Sequence, residues 1–234
     1  MRKWINIRRL KGQCQAGGLP SYICKYIEGY ESRPGKRTPL EELRLVVFDT
    51  ETTGFNHFSD RILEIGAVVI QDGEIILGDS FEVLLEGEKM PGEKNILVHG
   101  LMPGEIRLKG TSSEKAFSAF LDYIHADVLV AHHARFDVNM VEMGVRKMGI
   151  EDFFLYNPTI DTALMAQKVD HPHRPSHYID QRMYGLDALC ERYGISTEDR
   201  HTAWGDALIT AKLFLTLARD LKDGQGIVLG DLMK

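Results

Sequence analysis

The sequence predicts an α/β domain, built in layers around a mixed β-sheet. Three runs that suit β-strands come first, between residues 43 and 85. Segments with helical periodicity then alternate with short apolar runs, an order typical of a sheet covered by helices. A chain of 234 residues is long enough for one large domain, or for one domain and an appendage.

The strands are predicted from apolar runs rich in β-branched residues. The first covers residues 43–48 and ends at the polar string DTETTG. Two more cover residues 62–70 and 74–85, and the Asp-Gly pair between them indicates a hairpin turn. Val128–Ala131 is short and wholly apolar, which predicts a further buried strand.

The helices are predicted from apolar residues that recur every three to four positions. The string at 111–114, Thr-Ser-Ser-Glu, has the form of a capping box and precedes an apolar face over 116–124. Similar faces occur over 138–148 and 186–193, and a glycine follows each of them as a helix stop. The segment 203–217 is largely apolar, which predicts a buried helix.

The chain ends are predicted to differ from the main domain. Residues 1–40 form a basic extension with a short helix over 22–30 and a Pro- and Gly-rich linker over 31–39. The main domain then covers 41–222, and 223–234 is a C-terminal tail. Two roles stay open for the extension: contact with a nucleic acid or a polymerase, or simple packing on the body.

Charge is distributed unevenly along the chain, whose net charge is −6. Residues 1–44 have ten Lys and Arg against four Asp and Glu, a balance of +6, so the remainder has 18 against 30, a balance of −12. An acidic body binds phosphates poorly unless its carboxylates are neutralised, for instance by metal ions.

Composition excludes several classes of protein. No apolar run approaches the roughly 20 residues of a membrane span, and no apolar stretch of a signal peptide follows the basic N-terminus. The three cysteines, Cys14, Cys24 and Cys190, are odd in number and widely spaced, which argues against a disulfide framework and a cysteine zinc site. We expect a cytoplasmic protein without a membrane partner.

Asp49 and Glu51 follow the first predicted strand, and the two-residue period of a strand places them on one face. Neighbouring buried carboxylates repel each other, so a positive partner is expected. Hard divalent cations with oxygen ligands, Mg²⁺ or Mn²⁺, suit this pair. The alternative is that both acids cap the following segment.

Three further residues are candidates for the same site. Asp137 opens the helix after Val128–Ala131, where a helix N-cap is the alternative reading. His201 and Asp206 flank the predicted start of the last long helix, with Thr202 as its N-cap. Because that helix is otherwise apolar, an acid at position 206 is costly to bury without a purpose.

Six strings resemble one family in its motif order: VVFDTETTGF, VHGLMPGEI, LVAHHARFD, IDTALMA, YGLDALCERYGI and RHTAWGDAL. They are similar to the DEDDh exonucleases, relatives of the proofreading subunit of the bacterial replicative DNA polymerase. The resemblance covers about residues 43–220. It implies a ribonuclease H-like fold, a mixed sheet flanked by helices, and 3′→5′ exonuclease activity.

The resemblance also implies roles for particular residues. Asp49, Glu51, Asp137 and Asp206 match the acids that hold two metal ions, Mg²⁺ or Mn²⁺, and His201 matches the general base. The positions that match contacts to the terminal nucleotide are Thr52, His99, Leu101 and Phe136. The implied substrate is a 3′ end, preferably of single-stranded DNA, and a DNA polymerase is the implied partner.

Three other features are weaker candidates. His133 stands where many relatives have asparagine, so a substrate contact there is expected to differ. Histidines 171, 173 and 177 could suggest zinc, but prolines at 172 and 175 and the absence of nearby cysteine favour a solvated loop. Asp161 is expected to be a helix N-cap rather than a metal ligand.

Two alternatives to a DNA exonuclease remain at this point. The first is an exoribonuclease of the same fold, because the catalytic residues do not contact the 2′ position that distinguishes RNA. The second is a catalytically inert module that binds nucleic acid or tethers a polymerase. Loss of an acid is expected in an inert module, and all the acids are present here.

Overall fold

The computed structural model describes residues 2–87, 101–172, 179–221 and 226–233. Within these residues, the strands form one five-stranded sheet in the order β3-β2-β1-β4-β5. The strands are β1 (Leu45–Thr52), β2 (Ile62–Gln71), β3 (Glu74–Leu84), β4 (Val128–Ala131) and β5 (Thr159–Asp161). The first three pair antiparallel, while β4 and β5 run parallel to β1, so the predicted mixed sheet is confirmed.

Helices precede the sheet, connect its later strands and follow it. They are α1 (Arg2–Gln15), α2 (Ser21–Glu28), α3 (Pro103–Lys109), α4 (Ser113–Ile124), α5 (Arg135–Lys147), α6 (Thr162–Asp170), α7 (Leu186–Tyr193), α8 (Ala203–Asp220) and α9 (Leu229–Leu232). No described helix is long and apolar enough to cross a membrane.

Strand β1 lies at the centre of the sheet and divides the core into two layers. Val46 and Phe48 pack in one hydrophobic cluster with the buried faces of α4 and α5. Leu45 and Val47 point to the other side and pack in a second cluster, which includes the buried face of α8. By the same two-residue period, Asp49 continues the α8 face beyond the core.

The N-terminal segment contributes to the core. Ile7 of α1 and Ile23 and Ile27 of α2 are buried in the same cluster as Phe48. A buried polar contact also holds α2, since the Tyr26 hydroxyl donates to Asn157 Oδ1 at 2.6 Å. This basic segment is therefore packed on the body, whatever else it contacts.

The expectation that the cysteines argue against a disulfide is wrong for one pair. Cys14 of α1 and Cys24 of α2 form a disulfide, with Cα atoms 5.5 Å apart, while Cys190 is buried and free. Helix α1 was not predicted from the sequence. Once α1 packs against α2, two cysteines ten residues apart become neighbours.

The predicted linker and tail pair with each other. Pro39 and Val228 form an antiparallel bridge. The Leu229 amide donates to the Thr38 carbonyl at 3.0 Å, and the Leu40 amide donates to the Ile227 carbonyl at 2.9 Å. The boundaries at residues 40 and 222 stay predictions.

Most local signals in the sequence are confirmed. Asp72 and Gly73 have φ of 54° and 77°, as a tight hairpin turn requires, and Gly194 ends α7 with φ 65°. The capping box is wrong: Ser112 is the N-cap of α4 but its side chain makes no capping bond. Instead, Thr111 is held by backbone hydrogen bonds to Leu84 and Glu86.

Candidate active site

Three carboxylates meet at the end of β1. Asp49 and Glu51 lie on β1, Asp206 lies in the first turn of α8, and one oxygen of each lies within 4.8 Å of the others. Asp206 is buried, and the two strand acids are half-buried. The structure thus brings together residues that are 155 positions apart in the chain, as the sequence predicted.

Asp137 lies beside this group but is oriented differently. It is in the first turn of α5, 3% exposed, and does not act as the N-cap, which is Ala134. Its Oδ1 accepts hydrogen bonds from the Thr50 amide at 3.1 Å and the Thr50 hydroxyl at 2.7 Å. The Thr50 side chain lies on the opposite face of β1 from Asp49 and Glu51. It therefore links Asp137 to β1 from the side of the sheet on which α5 packs.

The electrostatics of the acids reflect their burial and mutual repulsion. Burial, with the charges of Asp137 and Asp206, raises the pKa of Asp49 well above its usual range. Burial and the charge of Asp206 raise the pKa of Glu51 to about 7. Burial likewise raises the pKa of Asp137 to about 7, although the hydrogen bonds from Thr50 oppose the rise. A bound cation relieves all of these costs.

His201 lies next to Asp206 at the entrance to α8. Its backbone amide donates to Asp206 Oδ1 at 3.3 Å, and the residue is exposed. It adopts the left-handed conformation with φ 72°, which non-glycine residues rarely adopt outside constrained sites. Thr202 follows as the predicted N-cap of α8 and accepts from the Gly205 amide at 3.0 Å.

Strand β2 fixes the start of α8, a feature the sequence reading missed. The buried Glu64 accepts a hydrogen bond from the Ala203 amide at 3.0 Å. Gly66 lies so close that an added Cβ would be 2.1 Å from the Trp204 nitrogen. An acid and a glycine within an otherwise apolar strand were the available signals. Both contacts position the helix that carries Asp206.

Two of the residues predicted to contact the substrate, Thr52 and Phe136, contact the loop that follows β1 (residues 53–61, the β1 loop). The Thr52 hydroxyl donates to the Gly54 carbonyl at 2.9 Å. The Phe136 ring lies 6.0 Å from that of Phe55, which is 91% exposed. Leu101 is 8% exposed and packs with Leu63, whereas His99 falls outside the described residues.

Phe55 was not singled out from the sequence. It belongs to the TETTGF string, and a phenylalanine in a polar turn was a usable signal. The turn itself is well anchored, because Asp60 accepts from the Thr53 hydroxyl at 3.1 Å and from the Asn56 amide at 3.0 Å. The exposed Phe55 ring therefore lies on an anchored turn next to β1, the strand that carries Asp49 and Glu51.

Asp161, His133 and the loop histidines were the weaker candidates. Asp161 is the N-cap of α6 and accepts from the Ala163 amide at 3.0 Å, which confirms its predicted capping role. The His133 amide also donates to Asp161, at 3.2 Å, and His133 has φ 56°, a region where asparagine is favoured. Residues 173–178, with two of the three loop histidines, lie outside the described residues.

The donor set suits a hard divalent cation. Its closest members are all carboxylates, whose oxygens Mg²⁺ and Mn²⁺ prefer. Burial of like charges without such a cation is unfavourable, as the raised pKa values show.

A family model described as Exonuclease, of the RNase T type, matches residues 46–214. This range covers most of the chain and includes all the acids described above. The chain belongs to this exonuclease family. The predicted family resemblance is thereby confirmed, and this exonuclease domain is a nuclease enzyme.

Curated relatives of the exonuclease domain include much longer proteins. A PolC-type DNA polymerase III of Thermotoga petrophila is 29% identical over 206 residues, which are 88% of this chain and 14% of the relative. A DNA polymerase III subunit epsilon-like protein of Rhodobacter capsulatus is 35% identical over 188 residues, 79% of this chain and 25% of the relative. The chain thus spans a quarter or less of these proteins.

Solved structures share the fold of the exonuclease domain. Exonuclease X in complex with 5′-overhanging duplex DNA has a TM-score of 0.58 and 21% identity, covering 80% of this chain and 98% of that one. The zinc-bound complex of Escherichia coli exonuclease I with single-stranded DNA has a TM-score of 0.63 and 17% identity, covering 78% and 42%. These likenesses support the ribonuclease H-like fold.

Proposed function

We propose that this chain is a metal-dependent 3′→5′ exonuclease that removes nucleotides from a DNA end and releases nucleoside 5′-monophosphates. The observation that carries the proposal is the convergence of Asp49, Glu51 and Asp206, with oxygens within 4.8 Å, beside Asp137. Membership of the exonuclease family supports the reaction class.

The four acids would hold two divalent ions, Mg²⁺ or Mn²⁺. Such ions lower the pKa of a bound water and stabilise negative charge on the leaving oxygen. The chain's part is to keep the carboxylates ionised and oriented, and Thr50 does this for Asp137 by donating two hydrogen bonds to one oxygen.

His201 is proposed as the general base. It would accept a proton from the attacking water as the water oxygen bonds to phosphorus and the bond to the 3′ oxygen breaks. Its exposed position allows the proton to pass on to solvent. The hydrogen bond that its backbone amide donates to Asp206 Oδ1 keeps His201 next to the acids.

The strand end is proposed to lie along the β1 loop. Thr52, His99, Leu101 and Phe136 are the proposed contacts, and we add Phe55 because its exposed ring faces Phe136. Aromatic rings beside a nucleic-acid groove stack on unpaired bases, each contributing roughly 1–3 kcal/mol. This favours a single-stranded end.

The biological setting is also a proposal. Relatives named DNA polymerase III support DNA as the substrate and a DNA polymerase as a partner. The structures of exonuclease X and exonuclease I in complex with DNA support the same substrate. The cytoplasmic location stays a prediction.

A gel time course with 5′-labelled single-stranded DNA and a matched RNA tests the proposal. Each strand is incubated with Mg²⁺, with Mn²⁺ or with EDTA. A ladder that shortens from the 3′ end of DNA with metal alone is expected. Shortening of RNA alone would assign the exoribonuclease activity instead, and immediate release of the label as a mononucleotide, without a ladder, would overturn the direction.

A further inference from the structure

Arg200 occupies a position that neither the family motif nor the proposed mechanism explains. It directly precedes His201, and its side chain is only 16% exposed. Its Nη1 lies 2.5 Å from Asp206 Oδ2, and its Nε lies 2.7 Å from Asp187 Oδ1. One guanidinium thus joins a proposed metal ligand to an acid in the first turn of α7.

Both oxygens of Asp206 are engaged in this arrangement. Oδ2 pairs with Arg200, and Oδ1 accepts from the His201 amide at 3.3 Å. Oxygens of Asp49 and Glu51 lie within 4.8 Å of an Asp206 oxygen, where a shared cation would bind. A divalent ion that uses Asp206 Oδ2 therefore has to displace the guanidinium or share that oxygen with it.

The charge of Arg200 is permanent. Burial acts to lower its pKa, but hydrogen bonds to Asp187 and Asp206 outweigh burial and leave the pKa above its ordinary value. The same charge opposes the rise in pKa of both Asp49 and Glu51. Arg200 is thus a cation that offsets the repulsion among the acids without any metal.

The two partners of Arg200 differ in exposure, which gives the side chain a place to move. The Asp187 side chain is 74% exposed, and the Asp206 side chain is 9% exposed. A guanidinium released from Asp206 can keep its bond to Asp187 and turn toward solvent.

We propose that Arg200 is a positioning residue that holds Asp206 in the metal-free enzyme, competes with the metal for that carboxylate, and keeps only its bond to Asp187 when metal binds. The inference rests on the proposed metal site. It implies that Arg200 weakens metal affinity while stabilising the metal-free fold. A residue that merely supported the site would strengthen metal binding.

Mn²⁺ titration of the intact protein without nucleic acid, followed by the EPR signal of free Mn²⁺, tests the competition. Arg200→Met, which keeps the unbranched stem but removes the charged guanidinium, is expected to bind Mn²⁺ about three- to tenfold more tightly, where tenfold equals about 1.4 kcal/mol. It is also expected to unfold at a lower temperature in EDTA. Unchanged or weaker Mn²⁺ binding would overturn the proposal.

Two variants control for other causes. Arg192→Met removes a 2.7 Å ion pair with Asp170, which is not one of the proposed metal ligands. This variant should therefore leave Mn²⁺ affinity unchanged. Asp187→Asn removes the acid that retains Arg200 after its release from Asp206, so Mn²⁺ should bind no more tightly than to wild type. If Asp187→Asn binds as tightly as Arg200→Met, general loosening explains the effect and the competition is refuted.

The charge-conserving variant Arg200→Lys keeps the test informative if the methionine variant does not fold. Lysine retains the positive charge but lacks the fork that bridges two carboxylates. Its Mn²⁺ affinity should equal or slightly exceed that of wild type, and a loss of affinity would contradict competition. Absence of Mn²⁺ binding by wild type would refute the metal site itself, and the inference with it.

Discussion

Replacing Asp137 with asparagine removes a buried carboxyl group from the metal-free site while preserving its shape. Burial raises the pKa of this carboxyl from 3.8 to about 7. The folded protein therefore keeps the proton up to about pH 7, whereas the unfolded chain releases it near pH 4. Between these values, unfolding releases a proton, so the free energy of unfolding falls as pH rises.

The size of the effect follows from the two pKa values. A difference of one pKa unit corresponds to about 1.4 kcal/mol, so raising the pH from 5 to 8 should cost wild type about 2–3 kcal/mol through this one group. Asparagine cannot ionise, and it can still accept from Thr50. The variant should therefore gain about 2–3 kcal/mol relative to wild type over that range.

Urea unfolding in EDTA at pH 5 and pH 8 measures this difference. Comparison with wild type at each pH cancels groups that do not interact with Asp137, such as His132, whose pKa burial lowers to about 3 and which acts in the opposite direction below pH 6.5. With saturating Mn²⁺ at pH 8 the ranking should reverse, because metal stabilises the ionised carboxylate. A difference that does not change with pH in EDTA would refute the reasoning.

Three further variants test other parts of the structure. Gly66→Ala would place a Cβ 2.1 Å from the Trp204 nitrogen. We therefore expect the free energy of unfolding, measured in urea, to fall by about 3 kcal/mol or more, and nuclease activity to be lost. Near-normal stability would contradict this contact. His125→Gly relieves a residue with φ 42° and should raise the unfolding free energy by about 1 kcal/mol without changing nuclease rate; lower stability would refute strain there. His201→Ala should lower nuclease rate about 10²–10⁴-fold while Mn²⁺ affinity is retained, and an unchanged rate would remove His201 as the base.

The central strands could be predicted because local signals and tertiary packing agree there. Val128–Ala131 is apolar on both faces, and it forms β4 between two other strands. The Asp72-Gly73 turn requires positive φ at both residues, which this pair adopts readily. β1 extends to Thr52, beyond the apolar run, because Glu51 pairs with Glu64 on β2.

Other features depend on contacts that no local pattern reveals. Helix α1 is polar overall, and Ile7 and Leu10 become significant only when packed on the body. The Cys14–Cys24 disulfide follows from that packing. The residues at 111–114 have the spacing of a capping box. Thr111 is instead paired through its backbone with the end of β3, so it does not cap α4.

The candidate site shows the same division. The acids could be predicted because a carboxylate at the end of an apolar strand, or in an apolar helix, is costly without a purpose. Their supporting residues could not, because Thr50 and Arg200 are ordinary residues in sequence. Their importance lies in which oxygen of Asp137 or Asp206 they bind.

The most direct measurement of the central claim is the rate at which wild type and Asp49→Asn shorten 5′-labelled single-stranded DNA at saturating Mn²⁺. Asp180→Asn, an exposed acid paired with Arg182, is the matched control. The account predicts rapid shortening from the 3′ end by wild type and Asp180→Asn, and almost none by Asp49→Asn or in EDTA. Near-normal shortening by Asp49→Asn would contradict a metal site built on these carboxylates.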